Sequence, residues 1–337
     1  MAISATVVDI RGKAVEPIIE EILFANDTLD KQLVTFHEDI KSDTIVTEND
    51  NTATMQAFTS GAPSSSGTFG LTDRSITPVK IMYYQEFTPE TLRTSRFNRS
   101  MKKGAWNIES SEFGSVVLKA YGNAISEDVQ SKYWNNIKSA TQTSIAGLTP
   151  GAGQGSVGAA EQTYAASLTA GQFDGVVSYM IYNNGALGTR YKVAGTTLSS
   201  SNIATEVGKV YAAIPSRAVN QPSGNKVEMY MPYSCKQFIN IYNVTATYRD
   251  LFSVTNLGQA SEAYYYNGVK INFVPLPENC IIAALPSNIH WMTDLLSDIN
   301  TFKVDRVANN QETWFVKHVM TIFAHVSLQS MNVLYLG

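Results

Sequence analysis

The sequence predicts an α+β fold, and three stretches carry that prediction. In Glu109–Lys138 an apolar residue recurs at every fourth position: Phe113, Val117, Tyr121, Ile125, Val129, Tyr133 and Ile137. Val116, Ala120 and Ala124 widen the stripe, which is the pattern of one long amphipathic helix. In Glu312–Val326 the residues Trp314, Val316, Met320, Ile322, Ala324 and Val326 share one face, interrupted only by His318. That is a strand of about fifteen residues, against the usual five or six. Between them, 201–295 mixes short helical and short strand signals, the texture of an α/β subdomain.

The chain begins with a loosely apolar segment and a short helix. Pro17 suits a first helical position, Glu16, Glu20 and Glu21 suit its positive end, and Ile18, Ile19, Ile22 and Leu23 form its stripe. A helix this short is unstable alone in water and must dock on its own body or a neighbour. Residues 46–75 then turn polar and small, with a Gly-Ala-Pro-Ser-Ser-Ser-Gly tip, and Ile76–Phe87 alternates as a strand. As a two-armed loop, 46–87 projects from the body, since each arm reaches about 60 Å at about 3.3 Å per residue. Arg93, Arg96, Arg99, Lys102 and Lys103 follow, read as a solvated basic face, an ion-pairing surface for another subunit or a weak polyphosphate contact.

The long helix comes next. Glu109 and Glu112 lie in its first turn and Lys138 in its last, the charge order that suits the helix dipole. At about 1.5 Å per residue it spans about 45 Å, enough to act as a spine. Thr141–Gly171, rich in Gly, Ala, Ser and Thr, reads as a long surface loop. Ile203, Val207, Val210, Tyr211 and Ile214 mark a helix capped by Ser201 or Asn202 and stopped by Pro215. Lys226–Met231 is a strand, Cys235, Phe238, Ile239 and Tyr242 mark a helix, and Val269–Val274 is a strand after the Asn267-Gly268 turn. Thr301–Val307, a turn at 308–311 and the long strand close the chain as a hairpin able to cover the spine.

Composition narrows the function. Of the 337 residues 44% are apolar but only 16% charged, where soluble domains carry about 25%, and 17 are Tyr. Interfaces lose charge and gain aromatics, so much of the surface is expected to lie against other subunits; the alternative is a monomer with a Ser, Thr, Asn and Gln surface. The net charge of −4 and the lack of a basic tail give no nucleic-acid-binding arm. Cys235 and Cys280 form no disulfide framework or metal spacing and read as buried thiols of a reducing cytoplasm. There is no signal-peptide core and no apolar run long enough to span a membrane, which predicts a soluble protein kept inside a cell.

A search for chemistry yields no site. His37, His290, His318 and His325 lack HExxH or other metal spacing, and the seven-residue step from His318 to His325 puts them on opposite faces of one strand. Gly151–Gly158 (GAGQGSVG) follows no strand, no capped helix is expected after it, and neither Gly12-Lys13 nor Gly208-Lys209 has the Ser/Thr of a phosphate loop. No catalytic residue, cofactor or metal is expected.

The order of parts resembles the major capsid proteins of tailed bacteriophages with the HK97-like fold. Leu29–Asn49 looks like the arm that leads to the extended loop; Asp73–Phe87 followed by Glu109–Trp134 is similar to the loop-return strand and spine; Gly268–Phe273 with Asn300–Val326 is similar to the axial-to-peripheral return, and Met331–Gly337 returns to the axial domain. The resemblance covers nearly the whole chain, with 141–194 matching least. It implies an N-terminal arm (1–45), an extended loop (46–87), a peripheral domain (88–200 and 296–337) and an axial domain (201–295).

The resemblance further implies a virion capsid subunit, assembled in the bacterial host cytoplasm as hexamers and pentamers around non-specifically packaged double-stranded DNA. A portal and a separate scaffolding protein are the implied partners, with no membrane. Some relatives weld subunits through a lysine in the extended loop, but none lies between Lys41 and Lys80, so a non-covalent shell is expected. Arg93, Arg96 and Arg99 are candidates to pair with Glu48, Asp50 or Asp73 of a neighbour. The rivals are an encapsulin-like nanocompartment shell and a cytoplasmic enzyme with an unrecognised site.

Overall fold

The long helix and the long strand are both present, and each organises one side of the molecule. The structure, a computed structural model, describes residues 8–10, 27–40, 44–49, 51–88, 111–182, 190–221, 225–245, 251–256, 262–294, 301–307 and 313–337. The expected helix around Pro17 and the turn at 308–311 lie outside these residues.

In chain order, β1 (Val8–Ile10), α1 (Asp27–Asp30) and β2 (Thr35–His37) come first. The strands β3 (Thr44–Asn49), β4 (Thr52–Ala53), β5 (Gly67–Thr68) and β6 (Leu71–Ile76) form a narrow hairpin, and β7 (Val79–Phe87) leaves it. The helices α2 (Ser111–Asn135), α3 (Ser139–Ala146), α4 (Ala159–Ser167) and α5 (Val176–Ile181) follow. Next come β8 (Tyr191–Ala194), α6 (Ile203–Ala213), α7 (Ser216–Val219), β9 (Glu228–Met231) and α8 (Tyr233–Thr245). The remaining strands are β10 (Phe252–Asn256), β11 (Glu262–Tyr266), β12 (Val269–Phe273), β13 (Cys280–Ala284), β14 (Ile289–Met292), β15 (Thr301–Arg306), β16 (Trp314–Val326) and β17 (Val333–Leu336).

Two sheets carry the fold. The first runs β1-β15-β16-β14-β2, with β7 on the other edge of β16. At 13 residues β16 is long enough to pair β15 near its start, β14 near its end and β7 opposite. The second runs β10-β11-β12-β9-β13-β17-β8, so the short β8 joins it through a parallel pairing with β17.

The second sheet is a wall between two cores. Met229, Met231, Ile281, Ala283, Val333 and Tyr335 face α6 and α8. Their sequence neighbours Tyr230, Ile282, Leu334 and Leu336 face the other core, built on α2, α5, β14 and β16. A strand covered on both faces reads as an unbroken apolar run, which is why β13 is Cys-Ile-Ile-Ala-Ala and buried throughout. In the second core the ring of Tyr133 on α2 stacks on Trp291 of β14 at 4.1 Å, and Trp134 Nε1 donates to Thr28 Oγ1 of α1.

Five expectations are corrected. The spine ends at Asn135, not Lys138: Lys138 is extended (φ −71, ψ 145), and Asp174 holds the next turn by accepting from Lys138 N (2.7 Å) and Thr141 Oγ1 (2.8 Å). Lys132, paired with Asp128 at 2.8 Å, occupies the last turn of α2 in place of Lys138. Thr141–Gly171 is not a surface loop but holds α3 and α4. Gln142 Nε2 donates to the carbonyls of Ala165 and Leu168, and Gln162 Nε2 to those of Ile145 and Leu148. A capped helix does follow Gly151–Gly158: Glu161 Oε2 accepts from Gly158 N at 2.7 Å. Asn202 precedes α6 without capping it, because its side-chain oxygen accepts from Ser199 N instead. Ile76–Phe87 is two strands, broken at Pro78, which lacks the N–H a ladder needs.

Candidate assembly surfaces

Among the described residues, the strands of the β3–β6 hairpin pair only with one another and with none of the strands of the two large sheets. Six residue pairs join β3 to β6, and Thr52 and Ala53 pair with Thr68 and Gly67 beyond them. Its polar side chains fasten the two arms: the Thr52 and Thr68 hydroxyls meet at 2.6 Å, Gly70 N donates to Asn51 Oδ1 at 3.0 Å, and Ser66 Oγ donates to Thr54 O at 3.1 Å. Gly67 is required, since its φ is +100 and a Cβ would run into the Thr52 carbonyl. A lone two-stranded ribbon is marginal in water and presents two open edges.

On this polar ribbon sit large apolar side chains with nothing over them. Met55 is 98% exposed, Phe58 96% and Phe69 79%. Ile45 and Leu71 of the stem are exposed as well, and so are Met82 and Tyr84 on the outer face of β7. Sequence reasoning passed over Met55, Phe58 and Phe69, which the signal of three large apolar residues in a polar run would have marked.

The root of the hairpin is held by a small apolar cluster: Ile76 packs with Ile40 and Met292, and Phe323 packs against them. The rest is polar. Arg74 of β6, buried, donates from Nη1 to the Tyr179 hydroxyl of α5, with its guanidinium carbon 5.7 Å from that ring centroid. The Tyr179 hydroxyl lies 2.8 Å from His325 Nδ1. His325 stacks on His290 with centroids 5.6 Å apart, and His290 Nδ1 is 3.0 Å from His37 Nε2. His290 Nε2 reaches Ser327 Oγ at 2.8 Å. Burial first, then the two flanking imidazoles, push the His290 pKa down to about 3, and burial lowers that of His37. Three of the four histidines thus meet across β2, β14 and β16; His318, buried elsewhere on β16, does not join them.

Of the predicted interface residues, Arg93, Arg96, Arg99 and Asp50 lie outside the described residues. Glu48 is on β3 opposite Thr72, and Asp73 is exposed on β6, where its Oδ1 accepts from Thr47 Oγ1 at 2.7 Å. The two cysteines are buried and free, and burial pushes the Cys235 thiol up to about 12. Among the described residues there is no group of His, Cys, Asp or Glu that could hold a metal, and no helix long and apolar enough to cross a membrane.

The Gly-rich run forms a different feature. It borders a cavity of about 500 Å³, lined among others by Gly151, Gly158, Glu161, Lys192 and Leu336. The Lys192 ammonium donates to the Gly151 carbonyl at 2.7 Å, and the buried Arg190 donates from Nη2 to Glu161 Oε1 at 2.6 Å. These charges tie α4 to β8 and are spent on the fold.

Comparison with solved structures shows what this architecture is. The chain is similar to a chain of the satellite phage P4 procapsid that includes the size-determination protein: 10% identity, TM-score 0.50, covering 95% of this chain and 97% of that one. It is similar to a chain of Gordonia phage Cozz: 10% identity, TM-score 0.52, covering 92% and 86%. It is also similar to a chain of the capsid of the native GTA particle: 12% identity, TM-score 0.52, covering 100% and 96%. No protein-family model and no curated protein matches the sequence. At these identities the likeness defines the fold, and the chain has the α+β fold of the HK97-like capsid proteins.

Proposed function

We propose that this chain is the major structural subunit of an icosahedral shell, joining as hexamers and pentamers around double-stranded DNA. The observation that carries the proposal is a hairpin that leaves the body with Met55 and Phe58 almost wholly exposed on a capsid fold. Covering such a side chain is worth about 1.5–3 kcal/mol, and a second copy is the surface that every subunit of a shell has at hand. In this reading 201–295 surrounds the axes, 88–200 and 296–337 form the periphery, and 46–87 lies across a neighbour after 1–45. Arg93, Arg96 and Arg99 meet Glu48, Asp50 or Asp73 of that neighbour, each exposed pair adding only about 0–1 kcal/mol but repeated around the shell. A portal and a separate scaffolding protein act in the host cytoplasm, and the finished particle is the virion capsid.

Negative-stain microscopy with sedimentation tests this on the purified chain, alone and with crude phage lysate as a source of nucleating factors. Closed shells or rings of five and six are expected. Phe58→Ser with Met55→Ser is expected to leave the monomer folded by circular dichroism while abolishing particles. Arg96→Glu is expected to weaken assembly and lower particle melting. Monomers under every condition, or particles indifferent to the double substitution, would overturn the proposal.

A further inference from the structure

We propose that the row His37–His290–His325, linked through Tyr179 to Arg74, is an acid-sensitive latch that fixes the root of the projecting hairpin to the body. This inference does not depend on the shell reading, because every group in it belongs to one chain.

The hydrogen-bond polarity of the row holds only while the imidazoles share few protons. His37 Nε2 and His290 Nδ1 face each other at 3.0 Å, so one must carry hydrogen and the other a lone pair. If both rings are protonated, two N–H donors confront each other and the bond is lost. At the other end the Tyr179 hydroxyl accepts from Arg74 and shares a hydrogen bond with His325 Nδ1. Protonating His325 makes it a second cation, one hydrogen-bonded hydroxyl away from the Arg74 guanidinium. His290 stands between the two, stacked on His325 and bonded to His37.

Flanking groups aside, the links of the row among the described residues come from five elements. They are His37 on β2, His290 on β14, His325 on β16, Tyr179 on α5 and Arg74 on β6. Tyr133 of α2 adds a hydroxyl on the His290 carbonyl, and Ser327 a hydroxyl on its Nε2. Glu38 and Asp39 are exposed next to His37, and Asp294 is buried just past β14. The charges that act on His290 itself are those of its two imidazole neighbours, and both oppose a proton there. Since the apolar hold on the hairpin root among the described residues is small, Ile40, Ile76 and Met292 with Phe323 packed against them, losing the polar chain is expected to loosen β6.

A histidine whose native pKa lies below its free value stabilises nothing above about pH 6.5, and costs stability as the pH falls below that. The latch is therefore closed at neutral pH and opens on acidification. Hydrogen exchange on the full chain, corrected for intrinsic rates, tests it at about pH 7.5 and about pH 5. Exchange at Leu71–Ile76 is expected to rise at least about tenfold in acid, while Glu228–Met231 and Cys280–Ala284 stay protected. His290→Gln should remove the acid step; should that variant not fold, the half-buried His37→Gln should shift or flatten it. Tyr179→Phe should loosen the root at both pH values. No acid step, an equal rise in all strands, or a step unchanged in the histidine variant that folds would each overturn the latch.

Discussion

At the scale of single residues, the strongest commitments are buried charges and one glycine. Glu161 and Arg190 are almost completely enclosed, and Glu161 also accepts from the backbone of Gly158. Removing one partner strands the other, so Glu161→Gln is expected to destabilise the chain by about 3–5 kcal/mol, read as a drop in thermal melting. Gly67→Ala is expected to act only at the hairpin end, costing upwards of about 1 kcal/mol there. Exchange at 52–53 and 67–68 should quicken while the body melts unchanged. Neither residue is conspicuous in the sequence: Glu161 is one acid in a small-residue run, and Gly67 one glycine among 22. The histidine row was illegible for a firmer reason. Its members come from strands far apart along the chain, and their meeting depends on the parallel pairing of β2 with β14, which no local spacing encodes.

At the scale of elements, legibility followed the size of the apolar signal. The four-residue repeat of α2 and the alternation of β16 were plain because each contributes an apolar stripe to the same large core. The same repeat misplaced the end of α2, since Ile137 is fully buried although the helix has already stopped. Burial continues past the helix, and a count of apolar residues cannot tell the two apart. α3 and α4 were missed because they join mainly through glutamine amides on backbone carbonyls, with Ile145 and Ala165 as their buried apolar residues. This predicts that Gln142→Leu, close in size but without donors, costs about 1–3 kcal/mol by leaving the carbonyls of Ala165 and Leu168 unmet. Denaturant melts of the two proteins would measure it, and an unchanged midpoint would refute the role given to the amide.

At the scale of the whole molecule, the seven-stranded sheet makes the two cores one cooperative body. Val333 faces one core and Leu334 the other from adjacent positions of β17. Val333→Ala and Leu334→Ala are each expected to lower a single calorimetric transition, by about 2–4 kcal/mol. Two separate transitions, only one of which moves per substitution, would show the cores to be independent.

The pairings also set a timetable for a chain made from its N-terminal side onward. Among the described residues, the partner of β1 is β15, that of β2 is β14, and that of β8 is β17. Such distant closures are slow. The hairpin is the opposite case, since β3 and β6 are close in sequence and can zip as soon as both emerge. The part with Met55 and Phe58 on its surface is therefore finished while the sheets behind it are still open. On the shell proposal, with many growing chains side by side in a polysome, these exposed tips are open to one another before any chain has a completed body, and nascent copies would have to be kept apart.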